Sequence, residues 1–506
     1  MLEHEERHRR LEALAALRAA GRDPYAVERY DRTHACAQVA AEFDRLEGRR
    51  IRLGGRLVAR RIMGRASFWH LQDQSGRTQL FLRQDALGEE QYRLFRDLDI
   101  GDIVGVEGTV FRTRTGEPTV EVLEWTPLAK CLRPLPIGKE QEGRHYSGLS
   151  DVELRHRMRY LDFLANPESR DVLVKRGRMI RAIRGFLEER GYLEVETPVL
   201  QVEAGGAAAR PFTTHHNALD CDFKLRISLE LFLKRLIVGG FERVYEIGRV
   251  FRNEGISTRH SPEFTLLELY QAYGNLEDMM DLVEEMYAAA CVAVNGSPAF
   301  TFQRDTEQGP VQEVVDFARR PWPRLPILEG IRRNAGIDPT ELDTLESARR
   351  AMERVGLPSE REVTVGGIIE KLHERFTQPT LVQPTFITDF PIETSPLAKK
   401  HPRNPRLTRR FEVYAAAQEL GNAFSEINDP LDQRERFENQ LQQRALGEEE
   451  AHPMDEDFLR ALEYGMPPTG GLGVGIDRLA MVLTGTDSIR EVIAFPTLRP
   501  ERAMGD

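Results

Sequence analysis

Cysteine is scarce in this chain, and long apolar runs are missing. The four cysteines lie far apart and form no CxxC pair: Cys36, Cys131, Cys221 and Cys291. A disulfide scaffold or a cysteine-based zinc site is therefore not expected, and a reduced cytoplasmic protein is predicted. No apolar stretch approaches the roughly 20 residues of a membrane-spanning helix. The charged N-terminus also lacks a secretory signal pattern, so no membrane partner is expected.

Several enzyme signatures and an excess of positive charge are absent as well. Acidic residues outnumber basic ones by 81 to 70, a formal net charge of −11, which argues against a chain that coats nucleic acid non-specifically. A local basic patch is still compatible with a nucleic-acid partner. The only Gly-Lys pair is Gly138-Lys139 in a Pro-rich segment, so no Walker A loop exists. Adjacent His215 and His216 would face opposite ways on a strand, which argues against a metal pair.

The length of 506 residues and the changing pattern predict a multidomain α+β protein. Residues 1–48 are typical of an N-terminal helical extension. Residues 49–130 carry five short β-rich runs between turn signals, which favours an OB-fold barrel, with a sandwich fragment as the main rival. Residues 131–150 are predicted to be a linker. Residues 151–506 are predicted to form a larger mixed domain, with residues 335–376 as a helical insertion.

Basic and aromatic residues interleave at the start of the expected barrel. Seven arginines and no acidic residue lie within residues 49–65: Arg49, Arg50, Arg52, Arg56, Arg60, Arg61 and Arg65. Phe68, Trp69 and Phe81 follow on the next runs. Because arginines track phosphates and flat rings stack bases, the pattern indicates a single-stranded nucleic-acid site. A solvated strand face over core aromatics is the alternative, and these residues alone do not separate the two.

Charged strands between residues 244 and 270 are the most informative feature. Side chains alternate between the two faces of a strand. On the first predicted strand this places Val250, Arg252 and Glu254 on one face, and on the second it places Phe264, Leu266, Glu268 and Tyr270 on one face. The other face of the second strand is apolar. Because unpaired buried charge is expensive, a core strand carries charge in this way only beside a cleft.

The same arrangement recurs at residues 421–429, where Asn422, Phe424 and Glu426 share a face and Glu412 and Glu419 lie just upstream. Some of these carboxylates suit a divalent cation such as Mg²⁺, and others suit a cationic substrate. Arg252 suits a phosphate or carboxylate through bidentate contacts. A salt-bridge network between strands is the alternative interpretation.

A glycine-rich strand precedes a predicted helix at residues 471–478, GLGVGIDR. The spacing GxGxG is not that of a dinucleotide-binding fold. Arg478 in the first turn of a helix suits a polyphosphate, since the helix dipole and the side chain both favour anions. Together the three elements predict phosphoryl or nucleotidyl transfer by charge stabilisation, without a covalent nucleophile.

In this order, the three elements resemble the signature motifs of class II aminoacyl-tRNA synthetases. The matching segments are a helix followed by GYLEVETP from Gly191, FRNE from Phe251 with His260 and Phe264, and GVGIDR from Gly473. Longer runs narrow the resemblance to the lysyl-tRNA synthetase family: GGAAARPFTTHHNALD from Gly205, LELFLKRLIVGGFERVYEIGR from Leu229, PTFITDFPIETSPLAK from Pro384 and EYGMPPTGGLGVGIDRLAM from Glu463. The similarity covers nearly the whole chain, including the expected OB-fold barrel.

The resemblance implies a synthetase that ligates L-lysine to tRNA(Lys) through a lysyl-adenylate. For ATP it implies Arg252 at the α-phosphate, Phe264 and Arg478 around the adenine with Arg478 also near the γ-phosphate, Glu254 at the adenine amino group, His260 at the tail phosphates, and Glu412 and Glu419 holding Mg²⁺. For lysine it implies Glu426 and Tyr270 at the ε-ammonium, Glu230, Glu268 and Gly206 at the α-amino group, Arg252 and Asn422 at the carboxylate, and Phe424 along the stem. Arg252 and Arg478 are the implied catalytic residues.

The barrel is implied to bind the tRNA anticodon, with Phe68 stacking on a base and with Arg60, Gln79 and Glu117 nearby. The family also implies a homodimer, because the helix before Pro198 has an apolar face that suits a subunit interface.

Two departures from the family pattern stand out. Ala416-Ala417 replaces the usual Gly-Gly pair, and Ala423 stands where a smaller or polar residue is common. Added methyl groups there are expected to crowd the pocket or oppose a positive φ angle. Three rivals remain at this point: a ligase for aspartate or asparagine, a paralogue that lysylates another acceptor, and a silent RNA-binding descendant.

Overall fold

The computed structural model describes residues 2–136, 139–141, 144–146, 148–306, 309–447 and 451–500. Two compact units make up the chain, Met1–Pro167 and Glu168–Asp506. Within the described ranges, no helix is both long and apolar enough to cross a bilayer.

A closed five-stranded barrel forms the centre of the first unit. Its strands are β1 (Arg50–Met63), β2 (Ala66–Gln72), β3 (Arg77–Arg83), β4 (Ile103–Arg112) and β5 (Pro118–Ala129), in the order β1-β2-β3-β5-β4. Only the β3–β5 pair is parallel. The barrel confirms the predicted OB-fold and excludes the sandwich fragment. The described residues of this unit also form a short hairpin and seven α-helices: β6 (Lys139–Gln141), β7 (Arg144–Tyr146), α1 (Leu2–Ala19), α2 (Gln38–Ala41), α3 (Phe43–Leu46), α4 (Gln84–Leu87), α5 (Glu89–Arg96), α6 (Val152–Arg157) and α7 (Arg159–Ala165).

Alternation along the strands separates the barrel core from its outer surface. On β2 every second residue is buried, and Trp69 and Leu71 are fully enclosed with Leu80 of β3 and Val106 of β4. Trp69 therefore belongs to the core, and a nucleic acid bound to the outer face cannot contact it. Phe68 stays half-buried on the outer face.

An eight-stranded sheet organises the second unit. The unit contains β8 (Leu193–Glu194), β9 (Leu200–Gln201), β10 (Thr213–His216), β11 (Cys221–Leu225), β12 (Arg243–Phe251), β13 (Glu263–Ala272), β14 (Ala299–Thr306), β15 (Gly309–Asp316), β16 (Arg324–Pro326), β17 (Thr385–Thr388), β18 (Lys400–His401), β19 (Asn404–Thr408), β20 (Arg410–Ala415), β21 (Gln418–Ser425) and β22 (Thr469–Gly475). The sheet order is β16-β17-β20-β21-β22-β13-β12-β8. Its central pairs are antiparallel, and only its two edge pairs are parallel.

Helices cover one face of this sheet. The helices of the unit are α8 (Pro167–Glu188), α9 (Glu230–Val238), α10 (Leu276–Asn295), α11 (Ile327–Ala335), α12 (Leu345–Arg354), α13 (Val365–Leu372), α14 (Pro430–Ala445), α15 (Glu456–Glu463), α16 (Ile476–Thr484) and α17 (Ile489–Val492). Ile183 of α8, Met286 of α10 and Leu479 of α16 share a buried core with Leu267 and Leu269 of β13. This is the predicted α+β architecture, and it leaves the polar face of the central strands free to form a site.

The segment predicted as a helical insertion, residues 335–376, holds α12 and α13. Thr344 and Thr364 cap these helices by accepting a backbone hydrogen bond. Ile368 of α13 and Met352 of α12 pack in a separate apolar cluster with Ile331 of α11.

A two-residue turn joins β20 to β21 and holds the Ala416-Ala417 pair. Both alanines have positive φ angles, +52° and +58°. Backbone N–H groups of the pair donate to the carbonyls of Val382 (2.8 Å) and Leu381 (2.9 Å), which fixes the turn against the neighbouring chain. Both residues therefore adopt the positive φ angle that their methyl groups were expected to disfavour.

Replacing these alanines should stabilise the protein. Ala416→Gly and Ala417→Gly are each expected to add up to about 1 kcal/mol to the free energy of unfolding, because the left-handed conformation costs alanine roughly 1–2 kcal/mol and glycine loses about 0.5–1 kcal/mol of chain entropy. Ala423→Gly, a buried position with no positive φ, should instead destabilise. Urea denaturation checks this, and equal destabilisation by all three variants would contradict it.

Candidate active site

A cleft of ≈ 770 Å³ lies on the polar face of the sheet. Every residue predicted for ATP, lysine or metal lines it: Gly206, Glu230, Arg252, Glu254, His260, Phe264, Glu268, Tyr270, Glu412, Glu419, Asn422, Phe424, Glu426 and Arg478. These positions span more than half of the chain, and the sheet brings them together because strands far apart in sequence are neighbours in it.

Glycines on β22 create the space in the middle of the cleft. In the pairing of β13 with β22, Tyr270 lies opposite Gly471 and Glu268 opposite Gly473. A Cβ at Gly471 would stand 1.9 Å from Glu426 Oε1 and 2.7 Å from a ring carbon of Tyr270. Any side chain there would therefore fill the pocket. Glycine recurs at every second residue of β22, so one face of this strand carries no side chains and forms the floor of the cleft. This spacing is the signal of the floor in the sequence.

Three buried carboxylates meet at one end of the cleft. Glu230, Glu268 and Glu426 are each at most 6% exposed. Glu268 accepts hydrogen bonds from the backbone N–H of Leu229 (3.2 Å) and from the Tyr270 hydroxyl (3.3 Å). Burial, and then the charge of Glu230, raise the pKa of Glu268 to about 8. Burial likewise raises the pKa of Glu230 and of Glu426, so this end of the cleft favours a cation.

Sequence reasoning missed a lysine behind these carboxylates. Lys234 of α9 is fully buried, with its Nζ 2.5 Å from Glu230 Oε1 and also paired with Glu426. Burial lowers the pKa of Lys234, but the two carboxylates outweigh it and leave the pKa raised, so the side chain is an ammonium. The i, i+4 spacing of Glu230 and Lys234 was the available signal, yet it is equally typical of a surface helix pair.

Arg252 lies between the carboxylates and the other end of the cleft, which Arg478 and His260 occupy. Arg252 follows β12 directly, donates through Nε to the carbonyl of Ile227 (3.3 Å) and lies 5.1 Å from the ring centroid of Phe264. Arg478 donates to Glu419 (2.6 Å) and lies 3.3 Å from Nε2 of His260. Burial and Arg478 lower the pKa of His260, so it is neutral. This end of the cleft favours an anion.

Asp477 fixes the helix that presents Arg478. Its carboxylate accepts from the backbone N–H of Thr265 (2.7 Å) and from Arg176 (2.7 Å), which ties the first turn of α16 to β13 and α8. The exposed Glu254 lies on the loop between β12 and β13. The glutamate and the histidine thus come from one loop, between β12 and β13, and Arg478 comes from the first turn of α16.

Glu412 lies on β20 and Glu419 lies on β21. In the register of these two antiparallel strands, Glu412 is opposite Asn422 and Glu419 is opposite Tyr414. Glu412 accepts from Arg410 (2.6 Å) and from the Tyr414 hydroxyl (2.6 Å). Burial, and then Glu419, raise the pKa of Glu412 to about 7. No group of three or more metal-ligating side chains occurs in the described ranges. Two carboxylates nevertheless fit Mg²⁺ shared with a nucleotide, because Mg²⁺ keeps waters and takes substrate phosphates.

Sequence reasoning also missed Arg410 and His452. The Arg410 guanidinium bridges Glu412 to Asn422 Oδ1 (3.1 Å), and its position two residues before Glu412 on β20 was the signal. Gly206 has a φ of +87°, and its N–H donates to Nε2 of His452 (2.7 Å). Burial lowers the pKa of His452 to about 4, which leaves the ring neutral and able to accept.

Two family models match the chain. "tRNA synthetases class II (D, K and N)" covers residues 151–499, and "OB-fold nucleic acid binding domain" covers residues 51–128. The chain is 55% identical to "Lysine--tRNA ligase" of Moorella thermoacetica, over 97% of each protein. It is 51% identical to the protein of that name in Pelotomaculum thermopropionicum, over 97% of this chain and 94% of the relative. In Carboxydothermus hydrogenoformans the identity is 50%, over 99% of this chain and 100% of the relative.

The chain belongs to the lysine–tRNA ligase family of class II tRNA synthetases. Its departures from the family pattern lie outside the carboxylate pocket. Ala423 is fully buried in the core on the helix-covered side of β21, where it pairs with Phe411 and Leu472. Its methyl group therefore does not crowd the cleft, and the sequence expectation of crowding is wrong at this position.

The synthetase barrel carries an aromatic row on its outer face. Phe68 stacks on Phe81 with ring centroids 4.7 Å apart, and Phe81 lies 5.9 Å from Phe111. Gln79 donates to Glu117 (2.8 Å) and accepts from Thr119 (2.9 Å). The structure thus brings the predicted Phe68, Gln79 and Glu117 to one surface of half-buried rings and polar groups.

Arg60 does not join this row. In the register of β1 and β2, Arg60 lies opposite Trp69, and Arg61 lies opposite Phe68. Because opposite residues share a face, Arg61 is on the side of Phe68. The guanidinium of Arg60 donates to the carbonyl of Leu98 (2.8 Å).

Proposed function

We propose that this chain ligates L-lysine to tRNA(Lys) with ATP, through a lysyl-adenylate intermediate. The observation that carries the proposal is the pocket of Glu230, Glu268 and Glu426, three buried carboxylates next to Arg252. A substrate with two ammonium groups and one carboxylate matches that distribution of charge. An aspartate-specific pocket would need a cation where Glu426 and Tyr270 stand.

For lysine, we propose that Glu426 and Tyr270 hold the ε-ammonium and that Phe424 packs along the aliphatic stem. Glu230, Glu268 and the backbone at Gly206 would hold the α-amino group. Arg252 and Asn422 would hold the carboxylate. The separation of the cationic and anionic ends of the cleft supports this orientation, since each end attracts the opposite charge of the substrate.

For ATP, we propose that Phe264 and Arg478 enclose the adenine ring and that Glu254 accepts from its amino group. Arg252 would contact the α-phosphate and His260 the tail phosphates. The guanidinium of Arg252 over Phe264 supports this assignment, because an adenine stacked on that ring would carry its α-phosphate toward the arginine.

The chemistry then follows from positioning. A carboxylate oxygen of lysine forms a bond to the α-phosphorus, and the bond from that phosphorus to the bridging oxygen breaks, releasing pyrophosphate. Charge grows on the phosphate oxygens, where Arg252 and Arg478 stabilise it without a protein base. A terminal ribose hydroxyl of the tRNA next attacks the carbonyl carbon of lysine. AMP leaves as the new ester forms, and the hydroxyl proton passes to water.

We propose that Glu412 and Glu419 hold Mg²⁺ together with the nucleotide. When bound, the cation neutralises phosphate charge and so favours attack on the phosphorus. Arg478 already pairs with Glu419 and Arg410 with Glu412, so both carboxylates are oriented before the nucleotide arrives.

A homodimer in the cytoplasm completes the proposal. The apolar residues of α8, including Met179 and Ile183, are buried in the unit's own core. The stretch that follows α8 is different, because Leu193, Leu200 and Val202 are 49%, 46% and 70% exposed, and β8 is an edge strand of the large sheet. An exposed apolar edge of this kind supports contact with a second copy.

For the anticodon, we propose that Phe68 stacks on a base while Gln79 and Glu117 contact base edges. Arg61, which lies on the side of Phe68, would lie close to the phosphates, whereas Arg60 is held away from this row by the carbonyl of Leu98. Aromatic stacking beside polar side chains is how OB-folds bind single strands, and this supports the assignment.

The decisive test is ATP–pyrophosphate exchange with each of the twenty amino acids. Lysine alone should support exchange. Glu426→Gln should raise the KM for lysine about tenfold to a hundredfold, since a charged hydrogen bond is worth about 1.5–3 kcal/mol. Glu263→Gln is the control: this residue is exposed at the start of β13, and its replacement should leave the KM for lysine unchanged. A folded protein that binds tRNA but exchanges with no amino acid would contradict the proposal and favour a silent RNA-binding protein.

Lysine affinity should depend on pH through Glu268. Its raised pKa, about 8, means that below pH 8 the free pocket holds a proton which the α-ammonium of lysine must displace. Binding should therefore weaken as pH falls from 8 to 6 and should release protons. Calorimetry in buffers of different ionisation enthalpy measures that release. Glu268→Gln should reduce it, and an equal release from the variant would contradict this assignment.

The barrel can be tested separately from the cleft. Phe68→Ala should lower kcat/KM for tRNA charging about fivefold to a hundredfold, because stacking on one base is worth about 1–3 kcal/mol. Exchange should not change, and Phe68→Tyr, which retains a flat ring, should charge tRNA normally. Equal charging by the parent and Phe68→Ala would remove Phe68 from the interface.

A further inference from the structure

A buried ammonium without a role in the proposed chemistry stands behind the lysine pocket. The Lys234 side chain is 0% exposed, and Lys234 does not line the cleft. Its Nζ is 2.5 Å from Glu230 Oε1 and pairs with Glu426, and it lies 5.5 Å from the ring centroid of Phe424. Burying an ammonium costs several kcal/mol and adds little stability even when it is paired. A packed hydrophobic side chain would fill the same space at lower cost, so the charge itself needs an explanation.

The other charges around the pocket explain why an ammonium is buried at Lys234. Glu230, Glu268 and Glu426 face two cations, Lys234 and Arg252, so the ionised pocket carries one excess negative charge. A lysine substrate brings two ammonium groups and one carboxylate, which supplies the matching positive charge. Without Lys234 the pocket would hold two excess negative charges, and buried carboxylates in such proximity cannot all stay ionised.

The environment of Glu426 also indicates that Lys234 acts as a counter-ion within the pocket. Its Oε2 faces Lys234, whereas Oε1 accepts no hydrogen bond from any described residue and is aimed at the open strand at Gly471. One oxygen is thus held by the resident ammonium, and the other is free for an incoming one. Glu230 is arranged in the same manner, because Lys234 reaches back along α9 to a single oxygen of its carboxylate.

We propose that Lys234 is a positioning and specificity-determining residue: as the internal counter-ion of Glu230 and Glu426, it favours the ionised form of both carboxylates and holds them toward a substrate with one cationic side chain. The inference rests on the proposed lysine activation. Removing the charge forces one carboxylate to take up a proton, and a neutral carboxyl cannot pair with the ε-ammonium. The titratable groups that surround Lys234 are Glu230 of α9, Glu268 and Tyr270 of β13, Glu426 after β21, and His452 before α15.

The experiment compares charge and shape at this position in the full-length protein. Lys234→Met, which retains the length of the side chain, should raise the KM for lysine in exchange at least tenfold and leave the KM for ATP within twofold. Lys234→Arg, which retains the charge, should lie closer to the parent. Arg235→Met is the matched control, because it removes the adjacent ion pairs to Asp455 and Asp457 and should leave the KM for lysine unchanged.

Two further readouts separate a positioning role from a structural one. In Lys234→Met the KM for lysine should recover as pH rises, since the protonated carboxylate ionises again. Ethylammonium at millimolar concentration should stimulate lysine-dependent exchange by Lys234→Ala and should not stimulate the parent. An unchanged KM for lysine in Lys234→Met, or equal loss for lysine and ATP without recovery by pH or amine, would overturn the assignment.

Loss of folding is also informative. If Lys234→Met does not fold, Lys234→Gln, which still donates hydrogen bonds, takes its place with the same expectation. Failure of all the neutral variants to fold would make Lys234 a stability residue and overturn the assignment. A parent that exchanges with no amino acid would contradict the proposed function, whereas an active parent with unaffected variants would contradict only the role of Lys234.

Discussion

Burial of three carboxylates in the cleft, at the polar face of the large sheet, is the constraint on which the candidate site of the second unit depends. Glu230, Glu268 and Glu426 are removed from water, so the protein must supply cations or accept protons. It does both, since Lys234 pairs with two of them and the pKa of the third, Glu268, rises to about 8. Lys234 and a proton on Glu268 therefore balance the free pocket, and in the proposed function a cationic ligand takes the place of that proton.

Strand alternation allows that charged face to exist beside an apolar core. On β13 the residues Leu267 and Leu269 pack under the helices, and Glu268 and Tyr270 point into the cleft. The neighbouring β22 contributes almost no side-chain volume to the cleft because its glycines face Glu268 and Tyr270. One sheet thus carries the hydrophobic packing that stabilises the fold and the charges that bind the ligand.

Period-2 patterns carried most of the information available in the sequence. They indicated the cleft face of β13 and of β21, whereas the five strands of the barrel were predicted from β-rich runs between turn signals. The spaced glycines of β22 were interpreted as the lead-in to a polyphosphate site, although the same spacing also signals the open middle of the cleft. They did not reveal Lys234, whose i, i+4 pairing with Glu230 is typical of a solvated helix surface. Only the packing of α9 against β13 and α15 shows that this face is buried. Phe68 and Trp69 show the same limit, since adjacent aromatics on a strand take opposite faces and only closure of the barrel decides which one is enclosed.

Charge balance also explains discrimination within the class II family. An aspartate side chain would place a fourth carboxylate among Glu230, Glu268 and Glu426, and a neutral side chain such as asparagine would leave the excess charge uncompensated. Both penalties act in a buried site, where an unpaired charge is costlier than in water. Selectivity then comes from rejecting the wrong charge as well as from contacts to the right one. In the proposed role, Lys234 sets the size of that excess, so a residue that does not line the cleft would help to decide which side chain the cleft accepts.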